Sequence, residues 1–215
     1  MPPQHGPNRG RPTPGHPRVQ RTRGHILAVA RELLPEVGSA GLTYSLLADR
    51  AGVTRQTLYR HWPARAALLV DLILAGPEVG FPEPGSDPRA VATAWLTSLA
   101  AGLNDQATRA AVLAVTARAD VDPDSAQALQ RISADRLAAF NQLLAPSGRQ
   151  ATAQEYALLA GPVFARLFFD RAEVTSEFTD TVVTGWLLTL DRRYDLSGQG
   201  GDSGEAKRHG ADGSG

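Results

Sequence analysis

The chain of 215 residues contains no cysteine. That excludes disulfide frameworks, thiolate metal sites, iron–sulfur ligation and a cysteine nucleophile. Histidine is sparse: His5, His16 and His209 lie near the ends, and His25 and His61 in the N-terminal third. No pair of them has metal-ligand spacing, and the C-terminal half has no imidazole before His209. The carboxylates Asp120, Asp122 and Asp124 alternate like a calcium loop, but lack its length, its Gly and its terminal Glu. They read as a solvated turn and an acidic helix start. An enzyme is therefore not expected, nor is a cofactor or a metal. No run reaches the ~18 apolar residues of a membrane span, and residues 1–17 hold Pro, Gly and Arg rather than the apolar core of a secretory signal. The expectation is a soluble cytoplasmic protein without membrane contact. Sustained period-two alternation is also missing, which argues against a sheet.

What is present is helical amphipathicity and an uneven charge. Lys207 is the one lysine among 22 basic residues. Net charge is zero overall, yet residues 1–76 carry +6, residues 77–193 carry −4 and residues 194–215 carry −2. A basic end suggests a polyanionic partner there. Residues 1–17 and 194–215 are rich in Pro, Gly, Ser and charge, and read as a disordered arm and a disordered tail. Three Pro and three Gly in residues 76–85 separate two helical blocks. Ile26, Ala30, Leu33 and Val37 recur at helical spacing, with Pro35 in the last turn and Gly38 and Gly41 as the stop. Asp87-Pro88 and Asp122-Pro123 are a cap followed by a favoured first position. Residues 105–120 are apolar on most sides and read as a buried helix, and Gly161-Pro162 should kink or restart its helix. The fold class is all-α with about nine helices.

The segment from Thr43 to Trp62 carries the chemistry. Thr43 or Ser45 caps one short helix with Leu46, Leu47 and Ala51 inward. Gly52 makes a tight turn, and Thr54 caps a second short helix, with Val53, Leu58 and Trp62 facing the core. Two short helices joined by such a turn form a helix-turn-helix. The second helix would present Arg55, Gln56, Thr57, Tyr59, Arg60 and His61. Arg and Gln near its N-terminus suit bidentate contacts to guanine and adenine, while Thr, Tyr and His suit phosphates. Residues 53–70 hold no acid.

From Arg21 to Leu74 the chain resembles the N-terminal domain of the tetracycline-repressor (TetR) family of transcriptional regulators. The resemblance is carried by Ile26 to Leu33, Gly38 to Thr43, Leu47 to Thr54, Thr57 to Pro63 and Arg65 to Leu69. Trp62 and Pro35 stand where that family commonly has Phe, and Arg65 where it commonly has Lys. The resemblance implies a homodimer binding a palindromic operator in double-stranded DNA as a ligand-responsive repressor. Its DNA-contacting set would be Thr43, Thr54, Arg55, Gln56, Thr57, Tyr59, His61 and Arg65. Residues 18–64 would be the DNA-binding domain, and residues 65–193 the effector-binding and dimerisation domain. Helices over roughly 88–145 would enclose an effector cavity, with Trp95, Leu99, Leu113, Thr116, Leu137 and Phe140 on inward faces. No buried charge is evident there, so the effector would be small and apolar or uncharged. The last two helices would form the dimer interface through Leu159, Val163, Leu167, Val182, Trp186 and Leu190, since their apolar stripes exceed the needs of one core. The alternative is a DNA-binding protein without an effector, in an architectural or activating role.

Overall fold

Short polar side chains set where the helices begin. Thr43, Thr54, Asp87, Asp105, Asp122 and Thr152 each accept a hydrogen bond from a free N–H of the first turn that follows. At Thr152 the bond is reciprocal, because Glu155 reaches back to the Thr152 N–H. The chain's computed structural model describes residues 17–76 and 82–199. Among these lie nine α-helices: α1 (Pro17–Gly41), α2 (Tyr44–Ala51), α3 (Arg55–His61), α4 (Arg65–Ala75), α5 (Pro88–Asn104), α6 (Gln106–Arg118), α7 (Pro123–Leu144), α8 (Ala153–Phe164) and α9 (Ser176–Gln199). The all-α expectation holds for the described residues. Most of the expected N-terminal arm and most of the tail lie outside them.

The structure corrects several boundaries. α1 begins at Pro17, well before the first residue of the apolar stripe, Ile26. It runs through Pro35 and breaks at Gly38, whose φ of 68° lies in the left-handed region that a side chain would oppose. α9 continues to Gln199, past the expected start of the tail. Pro162 sits inside α8 without ending it. The ladder widens three residues later into a π-helical turn over residues 165–169. α6 is buried on one face only, through Ala107, Thr108, Ala111 and Val115.

Two cores result. The first gathers Ile26, Leu33 and Leu34 of α1, Leu47 of α2, Leu58 of α3, Trp62, the apolar run Leu68–Ile73 of α4 (except Asp71), and Ala111 and Val115 of α6. It therefore does not stop at residue 64, because α4 and α6 close it. The second gathers Trp95 and Leu96 of α5, Phe140 and Leu144 of α7, Leu159 and Val163 of α8, and Val183, Trp186 and Leu190 of α9.

Candidate nucleic-acid interface

α2 and α3 meet at Gly52, whose φ of 63° makes the left-handed turn after Ala51. The Gly52 N–H caps α2 on the Ala48 carbonyl, and Val53 packs partly buried on the first core. Thr54 then starts α3, its hydroxyl accepting from the Thr57 N–H at 3.2 Å. The expected helix-turn-helix geometry is present, and it sets the α3 side chains apart by depth. Arg55, Gln56, Tyr59 and Arg60 are exposed, Leu58 is fully buried, and Thr57 and His61 are half-buried.

The eight residues expected at DNA do not all stand free. Arg55 and Gln56 project from the first turn of α3 with no side-chain hydrogen bond to described residues. Thr54 and Thr57 share a hydroxyl–hydroxyl contact of 3.0 Å, so both serve the cap. Thr43 is exposed and caps α2 by accepting from the Leu46 N–H, which leaves its own hydroxyl proton for another acceptor. Tyr59 stacks edge-on against Tyr44 at 4.8 Å. Tyr44 in turn donates to the Trp62 carbonyl at 2.7 Å. Burial raises the Tyr44 pKa to about 12, with Tyr59 adding and Arg65 opposing.

Two side-chain nitrogens near the α3–α4 turn, His61 Nε2 and Arg65 Nε, are buried without a hydrogen-bond partner among the described residues. Burial, then the charges of Arg60 and Arg23, pulls the His61 pKa down. Burial and Arg118 pull Arg65 down, against Tyr44. Arg65 opens α4, whose N-cap Ala64 supplies no side-chain bond. A helix start with free N–H groups beside a guanidinium is suited to an anion.

Sequence reasoning missed what holds α3 in place. The Asp71 carboxylate on α4 accepts from the Trp62 indole N–H just past α3 and from the Arg23 guanidinium on α1. A lone acid in the run Leu68–Leu74 was the available signal.

A cavity of about 310 Å³ lies between the last turn of α4 and helices α5, α6, α7 and α8, at the small end of ligand-sized pockets. Of the six residues expected there, Trp95, Leu99 and Thr116 line it. Leu113 instead points to solvent, because α6 turns its opposite face inward. Phe140 is fully buried in the second core and Leu137 packs partly buried against it, so neither reaches the cavity. The absence of buried charge is also corrected: Arg136 of α7 lines the wall, beside Tyr156. It follows Leu129 and Ile132 at helical spacing, a charge interrupting an inward stripe. Arg136 donates to the Ile73 carbonyl at 3.0 Å, with Leu74 at 3.5 Å. From α1, Arg31 donates to the Leu72 carbonyl at 2.9 Å and to Asp105 at 2.6 Å. Two arginines thus hold the carbonyls at the negative end of α4.

The six residues expected at the dimer interface lie inward. Leu159, Val163, Leu167, Trp186 and Leu190 are buried in the chain's own second core, and Val182 packs against it. The stripes of α8 and α9 are consumed by α5 and α7. The exposed apolar side chains of this region are instead Leu158, Phe164, Phe169 and Leu188.

A capped helix-turn-helix with an exposed polar second helix, carried on an all-α body, is the architecture of a DNA-binding regulator. Residues 26–72 match the sequence profile of bacterial regulatory proteins of the tetR family, and the chain is similar to regulators of that family in sequence and in fold. It is 35% identical over 81 residues to the HTH-type transcriptional regulator YdeS of Bacillus subtilis, a match covering 37% of this chain and 41% of that protein. Its fold is similar to that of the TetR family transcription regulator SCO0332, with a TM-score of 0.59 and 27% identity over 78% of this chain and 97% of the other. A TetR transcriptional regulator from Rhodococcus sp. RHA1 shares the fold with a TM-score of 0.54 at 22% identity, over 80% of this chain and 97% of its own. No helix among the described residues is long and apolar enough to cross a membrane.

Proposed function

We propose that this chain is a sequence-specific DNA-binding repressor that reads a palindromic operator as a homodimer and releases it on binding a small molecule in the cavity between α4 and α7. The observation that carries the reading is the placement of Arg55 and Gln56. Both are exposed on the first turn of a capped helix, in a segment without acids, flanked by Thr43 and by the anion-suited start of α4 at Arg65. Residues near a recognition-helix N-terminus reach base edges, and those around it reach phosphates. In this reading Thr54 and Thr57 act through the cap, and Tyr59 and His61 sit nearer the backbone. The cavity favours a ligand-responsive regulator over an architectural protein, since its wall includes the last turn of the helix that carries Arg65 and Asp71.

Selection from random DNA yields the operator, and each variant is then titrated against a panel of single-base changes. Gln56→Ala is expected to cost about 1–3 kcal/mol per half-site and to relax preference at one base pair. Arg55→Ala should do so at a neighbouring pair. Tyr59→Phe should weaken all operator variants alike. Uniform losses for Gln56→Ala and Arg55→Ala, with the preference profile intact, would remove the base-reading assignment.

A further inference from the structure

We infer that the cavity takes an anionic amphiphile, its carboxylate seated on Arg136 beside Tyr156 and its apolar body against Trp95, Leu99 and Val112. This deepens the ligand-responsive reading and rests on it. Among the described residues lining the cavity, Arg136 is the one charged side chain. No carboxylate among the described residues lies within ion-pair distance of it. Its sequence neighbour Asp135 is exposed and pairs with Arg131 at 3.7 Å. Arg136 uses a single nitrogen for the carbonyls of Ile73 and Leu74, out of five N–H donors in its fork. Its remaining donors have no partner among the described residues.

A guanidinium half-buried in an apolar wall without a counter-charge is costly unless something anionic completes it. A carboxylate matches the fork and forms charge-assisted bonds about twice as strong as neutral ones. A neutral ligand leaves the charge uncompensated, and an amine adds a second cation. Burial lowers the Arg136 pKa, opposed by Tyr156 and Asp135, but a guanidinium starts far enough above neutrality to stay charged. The location also supplies a consequence. An anion that engages the free donors of Arg136 draws the guanidinium into the cavity and away from the Ile73 and Leu74 carbonyls, so a ligand of this class loosens the last turn of α4. A neutral ligand has no such leverage.

The test uses the full chain and a head-group series of one shape: 4-phenylbutyrate, 4-phenylbutanol and 4-phenylbutylamine, with octanoate as a second acid. Binding is read by calorimetry and thermal shift, and operator release by fluorescence anisotropy. The acid should bind at least about tenfold more tightly than the alcohol, with the amine weakest. In Arg136→Gln the preference for the acid should vanish while the alcohol binds as before, and Arg136→Lys should retain part of it. An alcohol or amine that equals the acid on the wild-type chain overturns the anionic class but leaves a ligand pocket standing; this arm needs no variant, so poor folding of Arg136→Gln does not blunt it. An acid preference that survives in Arg136→Gln overturns the role of Arg136. Tight acid binding that leaves the operator bound overturns the ligand-responsive reading and the α4 leverage while the anion site stands. No binding by any of the four overturns both.

Discussion

The first core is aliphatic around a single buried tryptophan, Trp62, whereas the second is built on aromatic rings. In the second, Trp95 and Trp186 flank Phe140 at 5.5 and 5.7 Å, and Tyr156 closes the cluster at 5.7 Å from Phe140. Small aliphatic groups interdigitate closely and fix a short helix to within its caps, as α3 requires. Large rings meeting at angles leave space at their margins, and the cavity opens where Trp95, Tyr156 and Phe164 meet the end of α4. One half is built to hold a surface still. The other leaves a void where it meets the first.

Trp186→Arg should give the largest effect. It buries an unpaired charge at a site 2% exposed and should cost roughly 3–5 kcal/mol, read from urea denaturation. Leu188→Arg, two residues on and 60% exposed, should leave the fold intact and instead shift sedimentation toward monomer at tens of micromolar. If both variants fold normally, the second core is not where the stability lies. If Leu188→Arg sediments as the wild type, the outward face of α9 does not join protomers.

Next comes the tie between α3 and α4. Asp71→Ala leaves the Trp62 indole N–H without its acceptor and should cost roughly 1–3 kcal/mol. Operator affinity should fall for every sequence alike, because the end of α3 loosens while Arg55 and Gln56, the proposed base-reading pair, are untouched. Adding Trp62→Phe should recover much of the stability, since removing both partners is nearly neutral. A double variant no better than Asp71→Ala alone would mean that Arg23, not Trp62, is the partner that matters.

Thr54→Ala removes the α3 cap and should cost about 1 kcal/mol by the same denaturation measurement. The smallest effect concerns pH. His61 is held below its ordinary pKa of 6.5 by burial and by Arg60 and Arg23, so the unfolded chain takes up this proton first. Stability should be full above that ordinary value and decline as the pH falls from it toward the lower folded-state pKa. His61→Gln should flatten that slope. An unchanged slope would place the titration elsewhere.

The two halves also differ in how far they could be read from sequence. The turn at Gly52, the cap at Thr54 and the inward Leu58 and Trp62 follow from local rules acting within a few residues, and the structure places them accordingly. The exposed Arg55 and Gln56 follow from the same register. In the second half each helix announced an apolar stripe but not its neighbour. Leu159, Val163 and Trp186 looked like surplus surface because the sequence does not say that α5 and α7 will cover them. Leu113 looked inward because α6 is alanine-rich on several sides, and only packing against α1 and α4 decides which side is buried. Arg136 was legible in principle, as the one charge in the inward stripe of α7, but its meaning depends on the distant carbonyls of Ile73 and Leu74.

The closure of the first core by α6 bears on how portable the DNA-reading unit is. α6 packs against both α1 and α4, and Arg31 is pinned to Asp105 and Thr108 at its start. A fragment cut after α4 would present Val70 and Ile73 to water and strand a guanidinium whose carboxylate was left behind. Grafting this reading head onto another body therefore requires the seam to fall beyond Arg118, carrying α5 and α6 along, or a new helix designed to replace the surface that α6 provides.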